Sequence, residues 1–197
     1  VGALTSKPYT FKARPWELKN TETIDVHDAL GSNIRVDSRG RAIMRALPRV
    51  NEDVNEEWIS DKTRHAVDGL GKNRLDRPYV KKNGKLQEVS WSEAFNLISK
   101  KIAGLNGNQI AGLVGDLCDA ESMYAFKQMM NSLGAKIECR QDGSKIETEY
   151  RSGYLFNSGV AGIDEADAVL LVGSNPRHES PVLNARLRQR WLTRECK

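Results

Sequence analysis

The alternation of apolar and polar positions changes period along this chain, and each change marks an element. From Glu22 the period is two: Thr23-Ile24-Asp25-Val26, then Ile34-Arg35-Val36, then Ala42-Ile43-Met44-Arg45. Such alternation predicts short strands, and the Asp37-Ser38-Arg39-Gly40 cluster supplies the turn of a hairpin. Asn51 to Asp68 mixes acids with Trp58 and Ile59, which predicts a short helix or loop packed by its aromatic. Ahead of these elements, Pro8 and Pro15 block helix extension over Val1 to Asn20, and Tyr9, Phe11 and Trp16 are available to pin this connector to a neighbour.

Beyond the loop Gly69-Leu70-Gly71-Lys72-Asn73 the period becomes helical. Ser90 with Glu93 forms a capping box, and Ala94, Leu97, Ile98, Lys101, Ile102 and Leu105 follow at helical spacing. The apolar run Ile110 to Val114 predicts a strand. Asp119 then caps a helix whose Met123, Phe126, Met130 and Leu133 share a face and which Gly134 stops, and Ala135 to Cys139 resumes a strand. Ala168 to Val172 predicts another buried strand, leading through Gly173-Ser174-Asn175-Pro176 to a helix with Ser180 as cap and Pro181 in its first position. Strands alternating with helices on short loops indicate a parallel α/β architecture. Three clear strands are fewer than the roughly five of a usual sheet, so the sheet is expected to be unfinished at Lys197 and the chain to be a fragment.

Composition adds constraints. With 39% hydrophobic and 28% charged residues, the 197-residue chain is neither collagen-like, coiled-coil nor wholly disordered. No apolar run approaches the roughly 18 to 20 residues needed to span a bilayer, and the first residues lack the pattern of a signal peptide, so no direct membrane insertion is expected. The net charge of +4 resides wholly in residues 177 to 197, where six basic groups face two acids. There Arg186, Arg188, Arg190 and Arg194 surround Leu183, Leu187 and Trp191. This pattern predicts a helix with its apolar face docked on a sheet and its arginines outward, rather than a nucleic-acid helix. Cys118, Cys139 and Cys196 form no C-x-x-C pair, and His27, His65 and His178 have no metal-ligand spacing, so no metal site and no catalytic thiol are expected. Gly173-Ser174-Asn175-Pro176 and Gly115-Asp116 each follow a predicted strand, where open α/β sheets bind ligands. Neither matches a dinucleotide or triphosphate fingerprint, and a plain turn is the commoner use of such a position.

Several segments carry a resemblance. Val1-Gly2-Ala3-Leu4-Thr5, Tyr9 to Trp16, Gly31-Ser32-Asn33-Ile34, Leu47-Pro48-Arg49 and above all Asn55 to Arg64 make the chain similar to the large iron–sulfur subunits of respiratory complex I. The resemblance implies a cluster-ligating cysteine shortly before Val1, a parent subunit with 2Fe-2S and 4Fe-4S clusters, and other peripheral-arm subunits as partners. It places the parent on the cytoplasmic face of a bacterial inner membrane, or on the matrix side in mitochondria. The body of the chain resembles molybdopterin oxidoreductases such as formate dehydrogenase, whose small domain carries C-x2-C-x3-C-x27-C around a 4Fe-4S cluster. Laid on this chain, those positions fall on Asp25, Asp28, Ser32 and Ser60. Oxygen side chains suit such a cluster poorly, so the resemblance implies an emptied cluster fold, with Ser60 brought beside the other three and the vacated volume filled by Ile34 or Trp58. Gly173, Ser174, Asn175 and Pro176 resemble the segment lining the pterin-nucleotide site, here expected as a relic.

Together these readings predict an α/β chain in three parts: a connector over 1–21, a small β-rich emptied 4Fe-4S-type domain over 22–77, and the start of a parallel α/β molybdopterin-oxidoreductase-like domain over 78–197. The expected role is a structural segment of an NADH:quinone oxidoreductase, with no catalytic residue, no metal, no cofactor of its own and no nucleic-acid partner. A fragment of an active, formate dehydrogenase-like enzyme is the alternative.

Overall fold

A computed structural model describes residues 5–115, 117–138 and 149–193. Val1–Leu4, Asp116, Cys139, Arg194, Cys196 and Lys197, singled out above, lie outside the described residues. The chain forms two compact units, Val1–Arg74 with Tyr150–Lys197, and Leu75–Glu149. This grouping cuts across the linear division expected from sequence, because the segment after Tyr150 packs with the small β domain.

The first unit is built on an antiparallel meander of β1 (Lys19–Ile24), β2 (Asn33–Arg39) and β3 (Ala42–Pro48), in that order. The turn between β2 and β3 comes where expected, with Gly40 at φ +58°, a conformation that costs glycine little. Ile34 and Ala46 are buried, and β1 is exposed along its whole length as an edge strand. β1 stops at Ile24 rather than Val26 because Asp25 turns the chain, its carboxylate accepting from the His27 N–H at 2.8 Å. Fully buried Asp37 lies between Arg35 and Arg45 at 3.0 and 2.7 Å, and the Arg45 guanidinium stands 4.5 Å above the Tyr9 ring. Tyr9 thus anchors the connector, whereas Phe11 and Trp16, expected to do the same, stay exposed.

Between Asn51 and Asp68 the organising side chain is Asn55. Its Oδ1 accepts from the Asn33 N–H at 2.9 Å, and its Nδ2 donates to the carbonyls of Arg49, Glu56 and Trp58. Trp58, the expected packing aromatic, is 54% exposed; the buried amide takes that role instead. α1 (Asp61–His65) follows, capped by Ser60, and leads into a 3-10 turn over Ala66–Gly71.

The later segment returns to this sheet through α4 (Pro176–Glu179) and α5 (Pro181–Leu192). The Ala29 N–H donates to the Glu179 carbonyl at 3.0 Å, and Lys62 Nζ to the His178 carbonyl at 2.8 Å. The docking face of α5 differs from the expectation. Val182 and Arg186 are buried, Leu183 and Leu187 are half-buried, and Trp191 is exposed. The helix is rotated so that Arg186 donates to the Glu52 carbonyl and lies 3.4 Å from both Glu56 and Asp164. A guanidinium can be buried when a carbonyl and two carboxylates replace its water. Ala168 to Val172, expected as a strand, is irregular, with Leu170, Leu171 and Val172 exposed. No described strand pairs with it, so its backbone has no ladder to join.

The second unit opens with the hairpin of β4 (Tyr79–Lys82) and β5 (Lys85–Glu88), turned by Asn83 and Gly84 at φ +50° and +79°. α2 (Trp91–Ile102) begins as expected, Ser90 accepting from the Glu93 N–H at 3.2 Å. β6 (Ala111–Leu113) and β7 (Lys136–Glu138) pair in parallel across α3 (Ala120–Ser132). This βαβ unit is the parallel α/β element the sequence predicts. Gly112 permits the close seat of α3, since a Cβ there would come within 3 Å of Phe126 and Met130. Among the described residues no helix is long and apolar enough to cross a membrane.

Candidate functional site

The loop joining β1 to β2 closes on itself. The Asp25 N–H donates to the Ser32 carbonyl at 2.8 Å, and the Gly31 N–H to the Asp28 carbonyl at 3.2 Å, with Gly31 at φ +71°. Closure buries the side chains that alternate inward: Asp25, Asp28 and Ser32 are 3%, 3% and 0% exposed. Ser60, 4% exposed, reaches the same place from the start of α1. Its Oγ caps the helix by accepting from the Thr63 N–H at 3.3 Å and lies 3.0 Å from Thr63 Oγ1. Thr63 Oγ1 in turn donates to Asp25 Oδ2. With the Thr63 proton committed to the carboxylate, the Ser60 hydroxyl must donate to Thr63, so a one-way chain of hydroxyls runs from Ser60 to Asp25.

Asp28 is held from the other side. Its Oδ1 accepts from the Leu30 N–H at 2.9 Å and from Ser180 Oγ at 3.0 Å, while Oδ2 and the Ser32 Oγ have no hydrogen-bond partner among the described residues. Ser180 was expected as a helix cap; its hydroxyl bonds Asp28 instead and makes no cap hydrogen bond. Structure therefore brings Asp25, Asp28, Ser32 and Ser60 into one buried polar cluster, and adds Thr63 and Ser180, which sequence reading missed. Thr63 stands three residues after Ser60, a spacing that signals a helix cap and nothing more. Ser180 lies 152 residues from Asp28, so no local pattern could find it. Ile34 is buried as expected, but Trp58 is not; hydroxyls of Thr63 and Ser180 crowd the carboxylates.

These residues do not fit an iron–sulfur cluster. The set has no thiolate, and its hydroxyls and carboxylates are largely bonded to each other. Nor does Gly173-Ser174-Asn175-Pro176 fit an anionic pterin nucleotide. Gly173, Ser174 and Asn175 are exposed, and the Asn175 N–H at the start of α4 donates to the Glu179 carboxylate at 3.2 Å, which sets a negative charge beside the loop. An open pocket of about 510 Å³ beside this loop is walled mainly by apolar side chains, among them Leu30, Phe156, Leu171 and Leu183. Cys118 is exposed, and no group of three or more His, Cys, Asp or Glu able to hold a metal occurs among the described residues.

Comparison with known proteins resolves the family. Residues 18–68 match the 4Fe-4S domain of the NADH-ubiquinone oxidoreductase NDSU1/NuoG-like family. Residues 74–197, more than half of the chain, match the molybdopterin oxidoreductase family. The chain is 52% identical over 199 residues to the mitochondrial NADH-ubiquinone oxidoreductase 78 kDa subunit of Neurospora crassa, covering 98% of this chain and 27% of that protein. To the NADH-ubiquinone oxidoreductase 75 kDa subunit of Reclinomonas americana it is 50% identical over 207 residues, covering 98% and 30%. To the mitochondrial NADH dehydrogenase [ubiquinone] iron-sulfur protein 1 of Solanum tuberosum it is 51% identical over 189 residues, covering 95% and 26%. The chain thus spans between a quarter and a third of the length of these relatives. A family model covering most of its length means that the chain belongs to the molybdopterin oxidoreductase family, and the relatives it is similar to across nearly all of its length are complex I subunits.

Proposed function

We propose that the chain is a structural segment of the large iron–sulfur subunit of NADH:quinone oxidoreductase, and that its small β domain is a cluster fold emptied of its cluster. The parent enzyme passes electrons from NADH through flavin and iron–sulfur clusters to quinone, coupled to proton translocation. In this reading the 2Fe-2S and 4Fe-4S clusters belong to other parts of the parent subunit, and the segment itself turns nothing over. Its neighbours are other subunits of the peripheral arm, on the cytoplasmic face of the bacterial inner membrane or the matrix side of the mitochondrial one. Gly173, Ser174, Asn175 and Pro176 are then a relic of the pterin-nucleotide loop. The alternative of an active formate dehydrogenase-like enzyme is disfavoured by these relatives, each a subunit of the complex I enzyme.

One observation carries the reading. Asp25, Asp28, Ser32 and Ser60 stand at the spacing of four cluster ligands, converge in space, and yet present only oxygen, much of it bonded within the protein. A domain that had never held a cluster has no reason to gather these four positions. The test is anaerobic incubation with ferrous iron and sulfide, followed by desalting and iron analysis. The natural chain is expected to retain no iron and no visible charge-transfer absorbance. A variant with Asp25, Asp28, Ser32 and Ser60 all replaced by Cys is expected to gain both. Stable binding of one or more iron atoms by the natural chain would overturn the emptied-domain reading.

A further inference from the structure

Asp25 and Asp28 are two carboxylates on one closed loop, each almost wholly removed from water, and among the described residues neither has an ion-pair partner. Lys62 donates to the His178 carbonyl, and Arg186 is engaged with Glu52, Glu56 and Asp164. The carboxylates each accept one backbone N–H and one hydroxyl, four neutral donors in all. These donors do not neutralise them, and burying uncompensated charge is among the most costly arrangements in a protein.

Two enclosed oxygens, Asp28 Oδ2 and Ser32 Oγ, have no hydrogen-bond partner among the described residues. Both are buried and sit on the same eight-residue loop, yet they do not bond each other. An atom that accepts electron pairs from both would satisfy them. Carboxylate and hydroxyl are hard donors, which favour alkali and alkaline-earth ions over iron, copper or zinc. We infer that the β1–β2 loop binds one hard cation of the alkali or alkaline-earth class, with Asp28 Oδ2 and Ser32 Oγ as ligands and Asp25 as the second balancing charge. The ion would lock the loop on which β1, β2 and the Ser180 end of α5 meet.

The inference rests on the reading that this loop holds no iron–sulfur cluster, and iron analysis of the same preparation separates failure of that reading from failure of this one. The chain is dialysed against chelator and tetramethylammonium chloride, then thermal unfolding is followed while KCl, NaCl, MgCl2 or CaCl2 replaces that salt at constant ionic strength. At least one ion is expected to raise Tm saturably, on the order of 5 to 10 °C at a hundredfold excess over its Kd. The four titrations tell which ion the site takes. Asp28→Asn is expected to abolish the response and, in tetramethylammonium chloride, to melt no lower than the natural chain, because it removes the unbalanced charge. Ser32→Ala should weaken the response, and Asp61→Asn, at an exposed acid beside the site, should leave it intact. A natural chain whose Tm ignores cation identity, or an Asp28→Asn or Ser32→Ala variant with an unchanged saturable response, would show that water or a bound proton satisfies these oxygens instead.

Discussion

Asn55 shows how one side chain can take the place of a packed aromatic. Fully buried, it accepts from Asn33 and donates to three carbonyls that no regular element satisfies. Replacing it by Ala takes a partner from the Asn33 N–H and from the Arg49 and Trp58 carbonyls, while the Glu56 carbonyl keeps its bond from the Asn51 N–H, and a buried group left unpaired costs about 1 to 3 kcal/mol. Asn55→Ala is therefore expected to lower the stability of the first unit by roughly 3 kcal/mol. Asn55→Asp should be no better, because a carboxylate cannot donate to carbonyls. Urea unfolding followed by tryptophan fluorescence checks both, and a loss under about 1 kcal/mol would mean the turn relaxes around the gap. Nothing in the sequence distinguishes this asparagine from an ordinary turn residue, since its partner Asn33 stands on a strand 22 residues away that folding brings near.

At the scale of elements, helix starts obey local chemistry. Asp119 accepts from the Ser122 N–H at 2.8 Å and from the Ser122 hydroxyl at 2.9 Å, and these bonds hold its carboxyl below the usual carboxylate range. A pKa depressed in the folded state adds stability that is present above the unfolded value and lost as pH falls through the folded one. The destabilisation caused by Asp119→Ala is therefore expected to be full at neutral pH and to shrink steadily in acid. Paired denaturant titrations across that range measure it, and a constant difference would assign the effect to helix propensity rather than to the charged cap. Caps at Ser90 and Asp119, and the stop at Gly134, were legible because they depend on residues three or four apart. The docking face of α5 was not. An apolar stripe with arginines behind it predicts one orientation, but Glu56 and Asp164 lie in distant segments, and their pull on Arg186 selects another.

The whole molecule leaves much apolar surface uncovered. Leu170 and Val172 are exposed where a strand was expected, and Trp91, Phe95 and Ile98 line an uncovered side of α2. Large exposed patches of this kind mark interfaces or aggregation-prone surfaces. The isolated chain is expected to bind a hydrophobic dye in its native state and to self-associate with rising concentration, as judged by dye fluorescence and sedimentation velocity. A monodisperse monomer that ignores the dye would show that these faces are shielded in solution. The α/β class and the positions of most elements could be read from the chain, because periodicity and caps are short-range properties, whereas the family came from resemblance. What only folding decided was the polar closure of the cluster loop by Thr63 and Ser180, the burial of Asn55 and Arg186, and the packing of residues after Tyr150 with the small β domain. These depend on which distant groups reach each other once backbone hydrogen bonds and buried charge must be satisfied together, and no window of local sequence contains both partners.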